Sequence, residues 1–318
     1  MKALVTGGAG FIGSTLTDRL LADGHEVVVY DNFSTGRALF LAQARRHAGF
    51  HLVRGDTLDD DALRAAMRGC DIVFHLAANA DVRYGTLHPR KDFEQNTVAT
   101  FNVLEAMRDT GVRRIVFAST GSIYGEPRVF PTPEDAPFPV QTSLYGASKL
   151  ACEGLIEAYC EGYGIQGYIF RLVSILGERY THGHVFDFYK ALRCDCTRLR
   201  VLGDGHQRKS YLYVHDCIEG MLCALARAQE RINIFNLGRD DYCEVNDSVR
   251  WICEALGVQP ELEYTGGPRG WVGDSPFIFL DCRKIRQLGW TPQVSIREGV
   301  LRTLAYLQAH AELLEERA

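Results

Sequence analysis

The sequence has no run of about 18 consecutive apolar residues, so no transmembrane helix is expected. It has no strong excess of either charge. Its 35 Lys and Arg stand against 40 Asp and Glu, a formal net charge of −5, and no basic stripe is visible. Nucleic acid and membrane surfaces are therefore not expected as partners. There is no internal repeat, no low-complexity tract and no Pro/Gly/Ser linker. The ten cysteines (Cys70, Cys152, Cys160, Cys194, Cys196, Cys217, Cys223, Cys243, Cys253 and Cys282) lack a framework spacing. The opening MKALVTGGAG has no apolar signal core and reads as a strand. Reduced core thiols in a cytoplasmic protein are the expectation. What is present is ordinary globular composition, 46% hydrophobic and 24% charged over 318 residues, enough for about two domains.

Up to about residue 170, short apolar runs alternate with helical patterns. KALVT (2–6), EVVVY (26–30), FHLV (50–53), DIVFHLA (71–77), RIVFAS (114–119) and GYIFRL (167–172) read as buried strands. Segments 11–23, 92–110 and 144–163 have a period near 3.6. This alternation implies an α/β fold, a doubly wound parallel sheet covered on both faces. Residues 1–172 read as a dinucleotide-binding domain. Residues 173–318 read mainly as a smaller substrate lobe, with some segments returning to the first sheet. Loops are expected near 177–184, 203–211 and 266–276, and helices near 215–229, 245–256 and 296–314.

The strongest local signal is Thr6-Gly7-Gly8-Ala9-Gly10-Phe11-Ile12-Gly13, between a strand and a helix. Glycines there let backbone approach a pyrophosphate, and the helix N-terminus adds unpaired N–H groups. A glycine-rich structural turn is the bland alternative. Asp31 lies 18 residues past Gly13 at the end of the second strand, where a carboxylate accepts from a ribose 2′-OH and repels a 2′-phosphate. NAD is therefore expected over NADP, although Arg37 nearby would soften the exclusion. Asp56 after the third strand, Leu76-Ala77-Ala78 after the fourth, and Asn96 in the next helix are further cofactor candidates.

Tyr145 and Lys149 are four residues apart and share one helix face. A phenol near pKa 10 is a poor base at neutral pH, and a nearby ammonium lowers that value. Ser119-Thr120-Gly121-Ser122, after the fifth strand, supplies hydroxyls to orient a substrate alcohol. Most Tyr-x-x-x-Lys pairs are surface helix pairs; the glycine-rich turn and the hydroxyl-rich strand end upstream favour catalysis here.

TGGAGFIGS, the Asp31-Asn32 pair, HLAA at 75–78, STGSIYGE at 119–126 and YGASK at 145–149 together resemble the extended short-chain dehydrogenase/reductase family over nearly the whole chain. HGHVFDF (182–188), LGDGHQRKSYLYVHD (202–216) and RGWVGD (269–274) are most similar to its nucleotide-sugar 4-epimerases, of the UDP-glucose (UDP-galactose) type. The resemblance implies tightly held NAD, a UDP-sugar across the cleft, and commonly a homodimer, with helices 92–110 and 144–163 as its paired faces. It makes Thr120 the catalytic hydroxyl, Tyr145 the base and Lys149 its partner. It extends the cofactor set to Phe11, Ile12, Asn32, Ser34, Thr35, Gly36, Thr57, Ser119 and Leu172. The substrate set it implies is Ser122, Ser174, Arg179, His184, Val185, Leu202, Lys209, Arg269 and Asp274.

The family's 4,6-dehydratases carry an Asp-Glu pair after the catalytic Thr, and its UDP-xylose-forming decarboxylases a Glu. Here Gly121 and Ser122 follow, and neither is such an acid or base. Oxidation at one carbon followed by re-reduction, C4 epimerisation, is the reading that remains. Arg179, Arg208, Lys209 and Arg269 are candidate cations for a diphosphate. Ser174 stands where many UDP-glucose epimerases carry Asn; with Ser122 it would also suit a C6 carboxylate, so UDP-glucuronic acid stays open as substrate. A related reductase or 3,5-epimerase would differ in consuming its cofactor or in the carbon inverted. A non-catalytic dinucleotide-binding module usually loses the Tyr/Lys pair, which this chain keeps. His182 and His184, and Cys194 and Cys196, have metal-like spacing but no evident third ligand, so no metal is expected.

Overall fold

The computed structural model describes residues 1–138 and 140–314. The expected end of the second domain, 315–318, lies outside the described residues. Six parallel strands arise where the apolar runs are: β1 (Lys2–Thr6), β2 (Glu26–Asp31), β3 (Phe50–Arg54), β4 (Ile72–His75), β5 (Arg114–Thr120) and β6 (Gln166–Leu172). Short strands follow: β7 (Ser174–Leu176), β8 (Arg198–Val201), β9 (Arg208–Lys209) and β10 (Tyr211–Tyr213). The last four are β11 (Ile232–Leu237), β12 (Cys243–Glu244), β13 (Glu261–Tyr264) and β14 (Phe277–Ile278). The main sheet has the order β11-β6-β5-β4-β1-β2-β3, a doubly wound arrangement with the chain reversing at β1 and β4. Its seventh strand, β11, comes from beyond residue 172 and pairs with β6 in the register Ile234↔Ile169.

Burial on both faces explains the unbroken apolar runs. In β1, Ala3 and Val5 pack toward helices α1 (Phe11–Ala22) and, through the same core, α8 (Val214–Arg227). Leu4 points the other way, into a core shared with α2 (Asp60–Met67), α5 (Ala99–Thr110) and α6 (Leu144–Tyr163). Each alternate residue thus has its own helical layer. A third core, made of α7 (His184–Cys194), α9 (Val245–Leu256), α11 (Ile296–Ala309) and β8, forms the smaller lobe.

Two expectations change in detail. Segment 92–110 is not one α-helix: a π-turn, Phe93–Val98, separates Pro89–Asp92 from α5. The wider turn lets Asn96 reach sideways, its Oδ1 accepting from Asn79 N at 2.8 Å and its Nδ2 donating to Ser148 Oγ at 2.8 Å. The stretch 203–211 is not wholly loop, because β9 and the start of β10 lie within it, and His184 opens α7 instead of ending a loop. β9 is held between β12 and β14, so tertiary pairing creates a strand too short to show a period.

Candidate active site

A cleft of about 640 Å³ runs across the C-terminal ends of β1, β2, β4, β5 and β6 and into the smaller lobe. Its first wall is the glycine-rich turn. Gly7 has φ +69°, and a Cβ there would lie 2.7 Å from Ala77 N. A Cβ on Gly13 would lie 2.2 Å from Gly7 O, so the turn closes only with glycine at both places. The N-cap of α1 is Gly10, with no side-chain cap and no acidic residue in the first turn. The α1 N–H groups therefore face the cleft uncompensated, which fits a pyrophosphate.

Asp31 ends β2 and is buried. Its Oδ2 accepts from Ala9 N at 2.9 Å and its Oδ1 from Phe33 N at 2.7 Å. Burial pushes its pKa up and the two backbone bonds oppose that shift. The carboxylate is thus fixed at the rim, where a ribose diol is the matching donor.

Tyr145 and Lys149 project from the first turn of α6. Ser143 caps that helix, accepting from Gly146 N at 3.0 Å. Tyr145 is half-buried by area, but its phenol lies deep enough that burial pushes its pKa up to about 12, against a lowering hydrogen bond with Thr120. Lys149 is 2% exposed, donates to Ala118 O at 2.9 Å and lies 4.5 Å from the centre of the Phe117 ring. Burial pulls its pKa down. Thr120 ends β5, and its Oγ1 is 3.3 Å from Ser122 Oγ. Three polar groups from β5 and α6 therefore meet where the cofactor arm of the cleft reaches the smaller lobe. Behind them, Ser119 donates to Glu153, which is buried and ion-paired with Arg171 at 2.8 Å.

In the smaller lobe, Lys209 on β9 pairs with Asp274 at 2.7 Å and with the Ser275 carbonyl. Its pKa is lowered by burial, and Asp274 opposes that shift. His184 lines the cleft with Nε2 unpartnered, and burial, then the Lys209 charge, pull its pKa down to about 3, so it is neutral. Ser122, Ser174, Leu202 and Asp274 line the same region.

Phe11, Ile12, Gly10, Asn32, Ser34, Thr35, Thr57, Leu76, Ala77, Ala78, Ser119 and Leu172 also form the walls. Seven of the expected residues do not line the cleft; one, the candidate cation Arg208, lies over the Phe277 ring at 4.1 Å instead. Gly36 backs Asp31, with a Cβ there falling 2.9 Å from Oδ1. Asp56 accepts from Asn32 Nδ2 at 2.9 Å. Asn96 holds the loop at Asn79, as described above. Val185 is fully buried in the third core. Arg179 pairs with Asp18 of α1 at 2.5 Å. Arg269 pairs with Glu126 and donates to Asp274 O at 3.2 Å, bracing the loop that carries Asp274. Sequence reasoning passed over Arg83, Arg200, Gln207 and Tyr211, which do line the cleft. Arg83 and Arg200 lie in no motif, and Gln207 and Tyr211 lie within the 202–216 segment without a role read from it; β8, β10, the start of β9 and a short helix bring them there.

Residues 3–238 match the NAD dependent epimerase/dehydratase family. A UDP-glucose 4-epimerase of Mycolicibacterium smegmatis is 36% identical over 97% of this chain and 99% of its own. A solved UDP-galactose 4-epimerase superposes with TM-score 0.88 at 39% identity, covering 98% of this chain and 99% of that one. A UDP-glucuronic acid 4-epimerase of Bacillus cereus, solved with UDP-glucuronic acid and NAD, superposes with TM-score 0.89 at 28% identity, covering 98% and 100%. With its Rossmann sheet and its glycine-rich turn, the chain belongs to the NAD-dependent epimerase/dehydratase family.

Proposed function

We propose that the protein inverts C4 of a nucleotide sugar, of the UDP-glucose/UDP-galactose type, through a transient 4-keto sugar. The observation that carries the reading is the meeting of Thr120, Tyr145 and buried Lys149, with Gly121 and Ser122 where elimination or decarboxylation would need an acid. Gly121 is buried, and a Cβ there would fall 3.3 Å from the Ile278 and 3.4 Å from the Leu280 side chain, a tight fit for any larger residue.

When bound, NAD supplies the hydride acceptor and then the donor at C4, and its positive ring adds to the charge of Lys149 beside the phenol. Thr120 orients the sugar 4-OH toward Tyr145. The Tyr145 oxygen takes the hydroxyl proton while Lys149 stabilises the phenolate, lowering a pKa that burial raises to about 12 despite the Thr120 hydrogen bond. Lys209, anchored by Asp274, holds the diphosphate while the sugar turns over within the cleft. Tyr145 then returns its proton to the oxygen of the inverted centre. The proton and the hydride both go back, so no external oxidant or reductant is consumed. Binding energy is placed on the nucleotide diphosphate, leaving the hexose free to present either face.

Ser122 and Ser174, both lining the cleft, support a second reading in which the C6 group is a carboxylate and the substrate is UDP-glucuronic acid. Proton NMR of the purified protein with each UDP-sugar and no reductant tests both. A new anomeric signal of the C4 epimer without NADH accumulation is expected, and the faster substrate names the C6 group. No new sugar from either would overturn the substrate assignment.

We propose also a homodimer through the α5 and α6 faces, where Phe93, Phe101 and Tyr163 are exposed, and a cytoplasmic setting suited to ten free thiols.

A further inference from the structure

Arg179 has a left-handed backbone, at φ +68°, which among the described residues only one other non-glycine residue shares. That conformation is strained for a residue with a Cβ and persists only where the surroundings impose it. The imposing contact is the ion pair with Asp18 of α1 at 2.5 Å, in which most of both side chains is buried. Arg179 does not line the cleft, so its charge serves α1 and not a phosphate.

The pair joins two parts of the site. Asp18 lies about two turns beyond Phe11 on the same face of α1. Phe11 packs against both the first core and the third, and it meets the Tyr180 ring edge-on with centroids 5.7 Å apart. The helix that offers its N-terminus to the cofactor is thus held at two points by consecutive residues, Arg179 and Tyr180, of the loop 177–183 between β7 and α7. From Tyr180 the loop folds back on itself. The Tyr180 ring stacks on His182 at 6.1 Å, and a Cβ on Gly183, at φ +104°, would lie 2.1 Å from the Tyr180 hydroxyl. The next residue is His184, near enough to Lys209 to feel its charge. Tyr180, Thr181, His182 and His184 all line the cleft. A strained, buried anchor therefore sits directly behind the wall that faces Lys209.

We propose that Arg179 is a positioning residue for the nucleotide diphosphate: through Asp18 it fastens the loop 177–183 to the cofactor-binding helix and so sets the wall from Tyr180 to His184. This inference rests on the nucleotide-sugar reading above and goes beyond it. Thr120, Tyr145 and Lys149 stand on β5 and α6 and not on this loop. Losing the anchor should therefore weaken substrate binding and leave the chemical step largely intact.

Calorimetry of the NAD-bound protein tests it, with the tightest wild-type ligand among UDP, dTDP, GDP, CDP and ADP as probe. Arg179→Gly removes the anchor while taking the left-handed backbone without strain, so the fold is spared. It should bind the probe about 10-fold more weakly, with NAD retained and the melting temperature close to that of the wild type. Asp18→Asn should weaken the probe by a similar factor, and the double variant no further, because both remove one interaction. Arg179→Lys keeps the pair and should stay within about 3-fold of the wild type. In turnover of the nucleotide sugar, KM should rise about 10-fold in Arg179→Gly while kcat changes less than about 3-fold. Amide hydrogen exchange in the wild type needs no variant: the probe should slow exchange across 177–183. Variants that melt lower yet bind the probe as tightly as the wild type would show a purely structural pair and overturn the inference. So would a loop whose exchange the probe leaves unchanged, and both results would leave the epimerase reading standing. A wild type that binds none of the five nucleotides would remove the nucleotide-sugar reading, and this inference with it.

Discussion

Tyr145 shows how far a single residue depends on its surroundings. Burial pushes its phenol to about 12, the wrong direction for a base, and in the proposed mechanism Lys149, which lines the same cleft, and the bound cofactor's positive ring must reverse the effect. Tyr145→Phe should therefore lower turnover by about 10³-fold while leaving NAD bound, read by NMR assay and by the cofactor released on denaturation. Unchanged turnover would remove Tyr145 as the base. At the cofactor's other end, Asp31 is fixed by Ala9 and Phe33 N–H groups. Asp31→Ala should weaken NAD by about 10-fold and admit NADP, measured by titrating the stripped protein. Both residues were legible in the sequence, because a turn motif and a four-residue spacing locate them. Gln207 was not. A glutamine inside the 202–216 segment is placed at the cleft wall only by the fold, where its Nε2 donates to the Leu202 carbonyl.

At the scale of elements, α6 sets the geometry of the site. Ser143 caps it two residues before Tyr145, and Gly164 ends it at φ +66°. Gly146 lets its first turn approach the turn after β5, since a Cβ there would fall 2.8 Å from Ser122 O. Ser143→Ala should cost about 1 kcal/mol in urea unfolding and loosen the Tyr145 turn, raising KM more than a cap elsewhere would. A stability change below about 0.2 kcal/mol would show the cap to be replaced by water. The strands of the main sheet were readable because burial on both faces leaves unbroken apolar runs. The two-residue strands β9, β12 and β14 were not, as they exist by pairing with one another and carry no period. The π-turn was hidden for a related reason: its register is set by Asn96 reaching Asn79 and Ser148.

Across the whole molecule, two neutral histidines, the buried His75 and the part-buried His184 of the cleft wall, tie stability to pH. His75 bridges Thr6 and Thr100 at 2.8 and 3.0 Å, and burial, then the Lys149 charge, pull its pKa down to about 3. His184 is pulled down to about 3 in the same way. Unfolded histidine titrates near 6.5, so below that pH the unfolded chain binds more protons than the folded one. The stabilisation is full above about pH 6.5 and is lost as pH falls toward 3. The melting temperature should accordingly fall between pH 6.5 and 4, and His75→Gln should flatten that fall. A wild-type melting temperature level across this range would contradict the assignment of His75 as buried and neutral.

In the proposed epimerisation one hydride leaves C4 and the same hydride returns to its other face. The most direct test is turnover of UDP-glucose deuterated at C4, in ordinary water with no added cofactor, read by proton NMR and mass spectrometry. UDP-galactose that keeps its deuterium at C4, with none exchanged into water, is expected. Loss of the deuterium to solvent would mean that the centre is inverted by proton abstraction, and would overturn hydride transfer at C4.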